Sequence, residues 1–313
     1  MTFRKMLMKD YEDMLALKMS IGYAKETYMY YIPEFIDYCG ENYPNANAVT
    51  KDMVIGWLSS RSFTSSNTRT RALINIRTFT RYLAATGKQS YVVDDEFSLP
   101  IVRFVPVIMK DDEIKQFFFG VDNTIKSYDF PRKKYILPVL FRMIFCCGLR
   151  PAEPLKLRCE DVNLSTGDVY IRQSKRRTDR HILMSEDMLN LCHRYDLAIG
   201  SREWFFQHDD GKRLSTHWLD RQFRLCYKKS GLCLPQIPNP YSLRHCFATY
   251  TMMNWVDAGK DIMVLLPYLS AYMGHTEIKH TLYYVHLLPE RLKSSAGINW
   301  EKLDSIYGEV GHE

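Results

Sequence analysis

Residues 240–249 read PYSLRHCFAT and residues 272–284 read YMGHTEIKHTLYY, and these two segments decide how the chain is interpreted. An arginine such as Arg244 offers a planar fork of donors for phosphate oxygens. His275 directly follows a glycine and can titrate near neutral pH. Tyr284, nine residues further on, supplies a hydroxyl nucleophile. The order of these three residues indicates chemistry on a phosphodiester.

The same segments leave two choices open. The dipeptide NP at 239–240 is typical of a helix start, which places Tyr241 and Arg244 on one helical face. Arg244 then either binds a ligand together with Tyr241 or pairs with an acid elsewhere. The adjacent tyrosines Tyr283 and Tyr284 point about 100° apart on a helix. Only one of them can face a phosphate.

Two places upstream carry further candidate groups. In GLRPAEPLKL, Arg150 follows an apolar helix, where a charge is costly unless it is paired or used. Glu153 either holds that arginine for a site or forms a structural salt bridge with it. Between predicted strands at 169–172 and 180–184, Lys175 lies at the tip of a hairpin. It is either solvated or able to protonate a leaving oxygen in DNA. The basic residues around it are Arg172, Arg176, Arg177 and Arg180.

Residues 1–90 are predicted to be helical. Apolar and aromatic spacing indicates a helix at 21–38. A second helix is expected at 51–60 with Thr50 as its N-cap, and a third at 68–87, ending at a glycine. From residue 61 to residue 81 the chain carries five arginines and no acid. This row is either a solvated basic face or a helix that follows a phosphate backbone. The candidate DNA contacts are Arg69, Arg71, Arg77 and Arg81.

Composition narrows the class of protein. The chain has 313 residues, a net charge of +6 and 46% hydrophobic residues, as expected of a soluble protein with one or two domains. Eight cysteines without a C-x-x-C pair indicate reduced thiols. We expect a cytoplasmic protein without a membrane span, because no signal peptide and no long apolar run are present. The sequence shows neither an acidic cluster for magnesium nor a phosphate-binding glycine loop, so we expect no metal and no other cofactor.

These motifs together resemble the tyrosine recombinases of the phage-integrase type. That family has an arginine in G-L-R-x-x-E, a hairpin lysine, an H-x-x-R motif, a G-H motif and a tyrosine nine residues after that histidine. The resemblance implies catalytic roles for Arg150, Lys175, Tyr241, Arg244, His275 and Tyr284, with Glu153 supporting the first arginine. It also implies DNA contacts from Arg176 and Arg180. The spacing favours Tyr284 as the nucleophile, with Tyr283 then packing inward.

The resemblance covers nearly the whole chain and implies a mainly α (α+β) fold. Residues 1–90 would form a helical, SAM-like core-binding domain, and residues 91–110 a linker. Residues 111–296 would form a mostly helical catalytic domain with a small antiparallel sheet. The tail, 297–313, has an apolar helical face that either docks on a neighbouring protomer or packs on its own domain.

One position departs from the family pattern. Tyr241 stands where the family most often has the histidine of H-x-x-R, and a phenol with a pKa near 10 is a poor base at neutral pH. His245, one turn further, either replaces it or serves a structural purpose, as a histidine after this arginine commonly does in the family. The acceptor of the nucleophile's proton is therefore open.

The resemblance implies site-specific recombination of double-stranded DNA through a 3′-phosphotyrosyl intermediate, without metal or ATP. Integration, excision and transposition are all compatible with it, and a further likeness is to recombinases of transposable elements. The expected assembly is a homotetramer on DNA, with other recombinases as further partners, located at the nucleoid. The rival interpretations are a type IB topoisomerase, a DNA-binding regulator without catalysis and, less supported, an RNA-binding protein.

Overall fold

Eleven α-helices and one two-stranded sheet make up the part of the chain that the computed structural model describes, namely residues 2–94, 97, 105–124, 131–172 and 179–285. The predicted mainly helical fold with a small antiparallel sheet is confirmed. The described residues up to 97 form one compact unit, and those from 105 onward form a second. Lys175, Arg176 and the 297–313 tail lie outside the described residues. Across the described ranges, every helix is too short or too polar to serve as a membrane span.

The first unit consists of four helices around an aromatic core. Their bounds are α1 (Phe3–Ser20), α2 (Tyr31–Asn42), α3 (Lys51–Ser59) and α4 (Ser66–Ala85). The predicted N-cap is confirmed, because the Thr50 side chain accepts from the backbone N–H of Met53 at 3.4 Å. Trp57 of α3 lies edge-on to Phe35 of α2, and both are fully buried. This core is the kind of apolar burial that stabilises a small helical unit.

The helix predicted over 21–38 is wrong in its first half. Helix α1 ends at Ser20, and a single 3₁₀ turn at Lys25–Thr27 precedes α2. The side chains of residues 21–27 are all exposed. An isolated helical turn needs a buried face to be stable, and this segment has none until Tyr28, which is 6% exposed.

The second unit contains the sheet and seven helices. Its elements are α5 (Asp111–Asp122), α6 (Lys133–Cys146), β1 (Asp168–Ile171), β2 (Arg180–Leu183), α7 (Glu186–Ile199), α8 (Thr216–Ser230), α9 (Pro240–Asp257), α10 (Ile262–Met273) and α11 (Lys279–Val285). The strands pair antiparallel, with Val169 opposite Ile182, and both side chains are buried. The strand segments predicted at 169–172 and 180–184 therefore pair as expected.

Phenylalanines from three helices form the centre of the second core. Phe117 of α5, Phe141 of α6 and Phe223 of α8 are fully buried, with ring centroids 4.8 to 6.0 Å apart. Each buried ring contributes about 2 to 3 kcal/mol of transfer free energy. This packing fixes α6, and the end of α6 determines where the following arginine lies.

A close approach between the chain after α6 and helix α9 brings distant segments together. Gly148 has a φ of +59°, and a Cβ on it would lie 2.3 Å from Cδ1 of Phe247. Only glycine combines this left-handed conformation with the absence of a side chain. The turn at Gly148 therefore delivers Arg150 next to the buried face of α9.

Candidate active site

The beginning of α9 presents three candidate residues. Asn239 caps the helix, since its Oδ1 accepts from Tyr241 N at 2.9 Å while its own N–H donates to Ser242 Oγ at 3.1 Å. The predicted helix start at 239–240 is confirmed. With the cap fixed, Tyr241 lies in the first turn, and Arg244 and His245 follow one turn later.

Arg244 is buried, with 2% of its surface exposed. Its Nη1 donates to the carbonyl of Gly148 at 2.6 Å and its Nη2 to that of Met273 at 2.8 Å. The pKa of Arg244 is lowered to about 10, first by burial and then by the charge of Arg150. Its hydrogen bonds within the described residues go to carbonyls and rings rather than to a carboxylate, which argues against the alternative of a simple acid pair. It stays charged at neutral pH and attracts an anion.

Glu153 joins two arginines from different segments. Its carboxylate accepts from the backbone N–H of Arg150 at 2.7 Å and from Nη1 of the same residue at 2.8 Å. Arg180 of β2 donates to both oxygens, each at 2.8 Å. Burial raises the pKa of the Glu153 carboxyl, but the hydrogen bonds and charge of Arg180, with the Arg150 amide, hold it below its ordinary value. The carboxylate is therefore ionised and fixes the orientation of Arg150.

The side chain of Arg180 is bonded to acceptors of the protein. Its side chain is 9% exposed, and its Nε donates to the carbonyl of Tyr272 at 2.9 Å. Together with the two bonds to Glu153, the Nε, Nη1 and Nη2 atoms of Arg180 all donate to acceptors of the protein. Burial and bidentate pairing with Glu153 turn Arg180 toward the protein interior, and its contact with DNA stays a prediction.

His275 lies in a tight turn at the end of α10. Gly274 has a φ of +67°, and the backbone N–H of His275 donates to Ser270 O at 2.9 Å. Nε2 of His275 is 3.0 Å from Arg244 Nη2, and Nδ1 is 2.7 Å from Thr281 Oγ1. Because a guanidinium only donates, Nε2 accepts and Nδ1 donates to Thr281. Burial and the charge of Arg244 lower the pKa of His275 to about 3, so the ring is neutral.

Tyr284 points into the same cluster from α11. It is 4% exposed, its ring stacks on His275 with a centroid distance of 6.2 Å, and its hydroxyl lies 2.9 Å from Nδ1 of His245. Burial raises the pKa of Tyr284, while the charge and hydrogen bond of Arg244 lower it in part. Tyr283 is only half-buried. The expectation that Tyr283 packs inward is wrong, because the face of α11 that packs on α9 is the one that carries Tyr284.

Tyr241 lies at the edge of the cluster. Its side chain is 47% exposed, and its ring centroid is 6.1 Å from that of His245. His245 is the residue that sequence reasoning left undecided. Its spacing of one helical turn from Tyr241 was the available signal, whereas its contact with α11 could not be inferred from spacing.

The arginines of α4 do not all face solvent. Arg71 and Arg81 are exposed, and Arg69 is half-buried. Arg77 donates from Nε to Val93 O at 2.9 Å and from Nη2 to Asp94 O at 2.7 Å. Arg77 therefore links α4 to the segment that follows it, and its contact with DNA stays a prediction. Lys175 and Arg176 are not among the described residues.

Metal-ligating side chains are not grouped in the described part of the chain. Histidine, cysteine, aspartate and glutamate nowhere gather there in a set of three that could hold a metal ion. The cluster on α9 is instead built from guanidiniums, imidazoles and a phenol. Its chemistry is that of hydrogen-bond donation and proton transfer.

A mostly helical unit that gathers two arginines, a histidine and a tyrosine at one point defines a class of proteins, the tyrosine recombinases. Over residues 109–291 the chain matches the model described as the phage integrase family. The match spans more than half of the sequence, and this protein therefore belongs to the phage integrase family.

Individual relatives agree with this assignment. An integrase/recombinase protein of Sinorhizobium fredii, y4rE, is 27% identical over 291 residues, covering 90% of this chain and 92% of its own. The XerH site-specific recombinase, solved in a post-cleavage complex with palindromic difH DNA, has a TM-score of 0.66 at 19% identity, over 88% of this chain and 80% of its own. A lambda integrase tetramer bound to a Holliday junction has a TM-score of 0.63 at 16% identity, over 88% and 78%. At these identities the two structures show that the fold is shared.

Proposed function

We propose that this protein catalyses site-specific DNA recombination by cutting and rejoining strands through Tyr284. The single observation that carries the proposal is the charge of the hydrogen-bonded cluster around the nucleophile. Arg150, Arg180 and Arg244 bring three positive charges, and Glu153 brings one negative charge. Such a surplus beside a buried phenol suits a phosphodiester anion.

The two arginines that would hold the phosphate lie side by side. Nη2 of Arg150 donates to the carbonyl of Gly274, and Nη2 of Arg244 donates to that of the preceding residue, Met273. Guanidiniums on neighbouring carbonyls can contact two non-bridging oxygens of one phosphate. They would stabilise the charge that develops there as the nucleophile attacks.

We infer the reaction from these positions and, for Lys175, which lies outside the described residues, from the resemblance to the family. The Tyr284 oxygen forms a bond to phosphorus while the bond from phosphorus to the 5′ oxygen breaks. Lys175 gives the leaving 5′ oxygen a proton. The products are a 3′-phosphotyrosyl link and a free 5′-hydroxyl. Because the link retains the phosphoester bond, the 5′-hydroxyl of a second duplex can reverse the step on a new partner without ATP.

His275 has a positioning function in this scheme. Its Nε2 accepts from Arg244 and its Nδ1 donates to Thr281, so the ring holds the guanidinium against the stacked Tyr284 ring. Arrival of a phosphate that draws the Arg244 donor away would release Nε2. To donate a hydrogen bond to the phosphate from Nε2, the neutral ring must then carry its proton on Nε2 instead of Nδ1.

The substrate and the assembly follow from the same reasoning. Double-stranded DNA is the partner, and the exposed Arg71 and Arg81, with Arg69, would contact its phosphates. We propose a tetramer on DNA, supported by the likeness to the lambda integrase tetramer, and a location with the nucleoid, where the substrate is. The topoisomerase and regulator alternatives are not favoured, since the family assignment and the described part of the cluster both fit a recombinase.

Covalent capture tests this function without knowledge of the recombination site. Purified protein is incubated with fragmented DNA of the organism that carries the gene, and complexes resistant to detergent are collected and sequenced. The wild type and Tyr283→Phe should both yield protein–DNA adducts that map to one sequence. Tyr284→Phe should yield none. Adducts that persist in Tyr284→Phe, or that are lost only in Tyr283→Phe, would contradict the assignment, and no adduct with the wild type would favour a regulator.

A further inference from the structure

The hydroxyl of Tyr284 and the imidazole of His245 are joined by a short hydrogen bond. Nδ1 of His245 lies 2.9 Å from the phenol oxygen, with the ring centroids 5.5 Å apart. His245 is on α9 and Tyr284 on α11, so the contact bridges two elements 39 residues apart in sequence. A group within this distance of the nucleophile's proton meets the geometric requirement for a general base.

The direction of this hydrogen bond depends on the tautomer of the neutral His245 ring. A phenol hydroxyl both donates and accepts, and a neutral imidazole carries its single proton on one of its two ring nitrogens. With that proton on Nε2, Nδ1 has a free lone pair and accepts the phenol proton. This tautomer is the one that can accept a proton from the nucleophile.

The charge state of His245 suits the same purpose. Burial and, after it, the charge of Arg244 together lower the pKa of His245 to about 4. The ring is neutral at neutral pH, so its Nδ1 lone pair is available. The titratable groups that act on it are Tyr241 and Arg244 on its own helix and Tyr284 on α11.

Tyr241 does not meet these requirements. Its side chain is 47% exposed and its ring contacts His245 rather than the nucleophile. A phenol hydroxyl also carries its own proton, which it must lose before it can act as a base. The residue at this position can donate a hydrogen bond to phosphate, but it lacks a lone pair suited to accept a proton at neutral pH.

We propose that His245, rather than the residue at position 241, takes the proton of Tyr284 during strand cleavage and returns it during rejoining. The inference rests on the proposed function of Tyr284 as nucleophile. In the forward step the Tyr284 oxygen bonds to phosphorus, its proton passes to Nδ1, and the leaving 5′ oxygen takes a different proton from Lys175. The imidazolium formed is neutralised when the reverse step restores the phenol.

Substrate binding itself makes His245 a better base. The positive charge of Arg244 is one cause of the low pKa of His245. A phosphodiester held by Arg244 and Arg150 brings a negative charge beside them, which offsets that effect. The pKa of His245 therefore rises when DNA is in place. The proton is taken only when the phosphate is positioned for attack.

The test is single-turnover cleavage of a nicked substrate that carries the captured DNA site. His245→Ala should slow adduct formation by about 100-fold or more, the range expected for loss of a general base. Tyr241→Phe should slow it less. His193→Ala, which removes an exposed histidine of α7, serves as the matched control and should cleave like the wild type. If His245→Ala cleaves within a few-fold of the wild type while Tyr241→Phe does not, the assignment is reversed.

A second variant separates proton transfer from positioning. In His245→Asn, the side-chain oxygen can accept the Tyr284 hydrogen bond much as Nδ1 does, but it cannot hold a proton at neutral pH. We expect this variant to be as slow as His245→Ala, and we expect added imidazole to restore part of the rate of the alanine variant. Full activity of the asparagine variant would mean that His245 only positions the phenol. DNA binding equal to that of the wild type shows that each variant is folded.

A sulfur-substituted substrate distinguishes the base from the acid. When the leaving 5′ oxygen is replaced by sulfur, departure needs no proton. Lys175→Ala should then regain activity, whereas His245→Ala should stay slow because its defect concerns the nucleophile. Recovery of His245→Ala on the sulfur substrate would overturn the proposal. If the wild type forms no adduct on any captured site, the proposed function fails, and with it the reaction in which His245 would act.

Discussion

Replacing Glu153 by glutamine removes the one negative charge in a cluster of three guanidiniums. The carboxylate is 7% exposed and accepts four hydrogen bonds, two from Arg150 and two from Arg180. Glutamine keeps the size and shape of the side chain, so no cavity is created. The substitution replaces one acceptor oxygen by an NH₂ group, which then faces the N–H donors of the arginines.

The magnitude can be worked out from burial. Removing one partner of a buried ion pair costs about 3 to 5 kcal/mol, because the other charge stays buried without compensation. Arg180 is 9% exposed and Arg150 is 14% exposed, and both lose their carboxylate. Glutamine retains one oxygen that accepts part of these donors. We therefore expect the lower end of the range, about 3 kcal/mol of unfolding free energy at pH 7.

The same contact sets an acid dependence. The folded-state pKa of Glu153 is lowered, so its contribution is fully present above the unfolded-state value of about 4.3. It is lost as pH falls through the still lower folded-state value. Wild type and Glu153→Gln should therefore differ most near pH 7, and the difference should shrink as pH falls below about 4.3.

The free energy of unfolding and its pH dependence are measured by urea unfolding followed by tryptophan fluorescence. Three tryptophans, Trp204, Trp218 and Trp255, belong to the second unit and report on it. The control is Glu160→Gln, which neutralises a 63% exposed carboxylate paired with Arg172 and should change stability by less than about 1 kcal/mol. If Glu153→Gln loses no more than the control, or if its difference from the wild type does not shrink in acid, the carboxylate is not the charge that holds the cluster.

Four further substitutions, in two pairs, test the close approach at Gly148 and the two arginines of α4. Gly148→Ala should lower the free energy of unfolding in urea by at least about 2 kcal/mol, since it adds a Cβ 2.3 Å from Phe247 at a φ of +59°. The control Gly211→Ala, at a φ of +81° in open space, should lower it by only about 1 kcal/mol. Equal losses would refute the close approach between Gly148 and Phe247. Arg71→Ala should lower the salt dependence of DNA binding by about one ion and leave the melting temperature unchanged. Arg77→Ala, which removes two hydrogen bonds to backbone carbonyls, should lower the melting temperature instead, and the reverse pattern would contradict the placement of the two arginines.

The sequence was sufficient where a residue type and a short spacing determine the chemistry. The pairing of Arg150 with Glu153 spans three residues and follows from local geometry. The clustering of Arg244, His275 and Tyr284 came from the resemblance to a family rather than from the residues alone. Aromatic spacing does not predict the helix break at residues 21–30, because the spacing does not tell which face of the segment is buried.

The protein partners of Arg77 and Arg180 could not be predicted from the sequence, for a shared physical reason. A guanidinium binds whatever acceptor the fold brings near it. For Arg180 that acceptor is a carboxylate 27 residues earlier, and for Arg77 it is a pair of carbonyls 16 and 17 residues later. Neither sequence separation can be predicted from a local pattern, because strand pairing sets the first and the path of the chain after α4 sets the second.

The surplus charge of the cluster links catalysis to stability. Three guanidiniums with a single carboxylate among them repel one another, and the Arg150 charge already lowers the pKa of Arg244. In the proposed reaction a phosphodiester would supply the missing negative charge, so its binding would stabilise the folded second unit as well as the transition state. The same charge would raise the proton affinity of His245. An arrangement that would be a defect in a purely structural core would therefore let the substrate activate the proposed nucleophile.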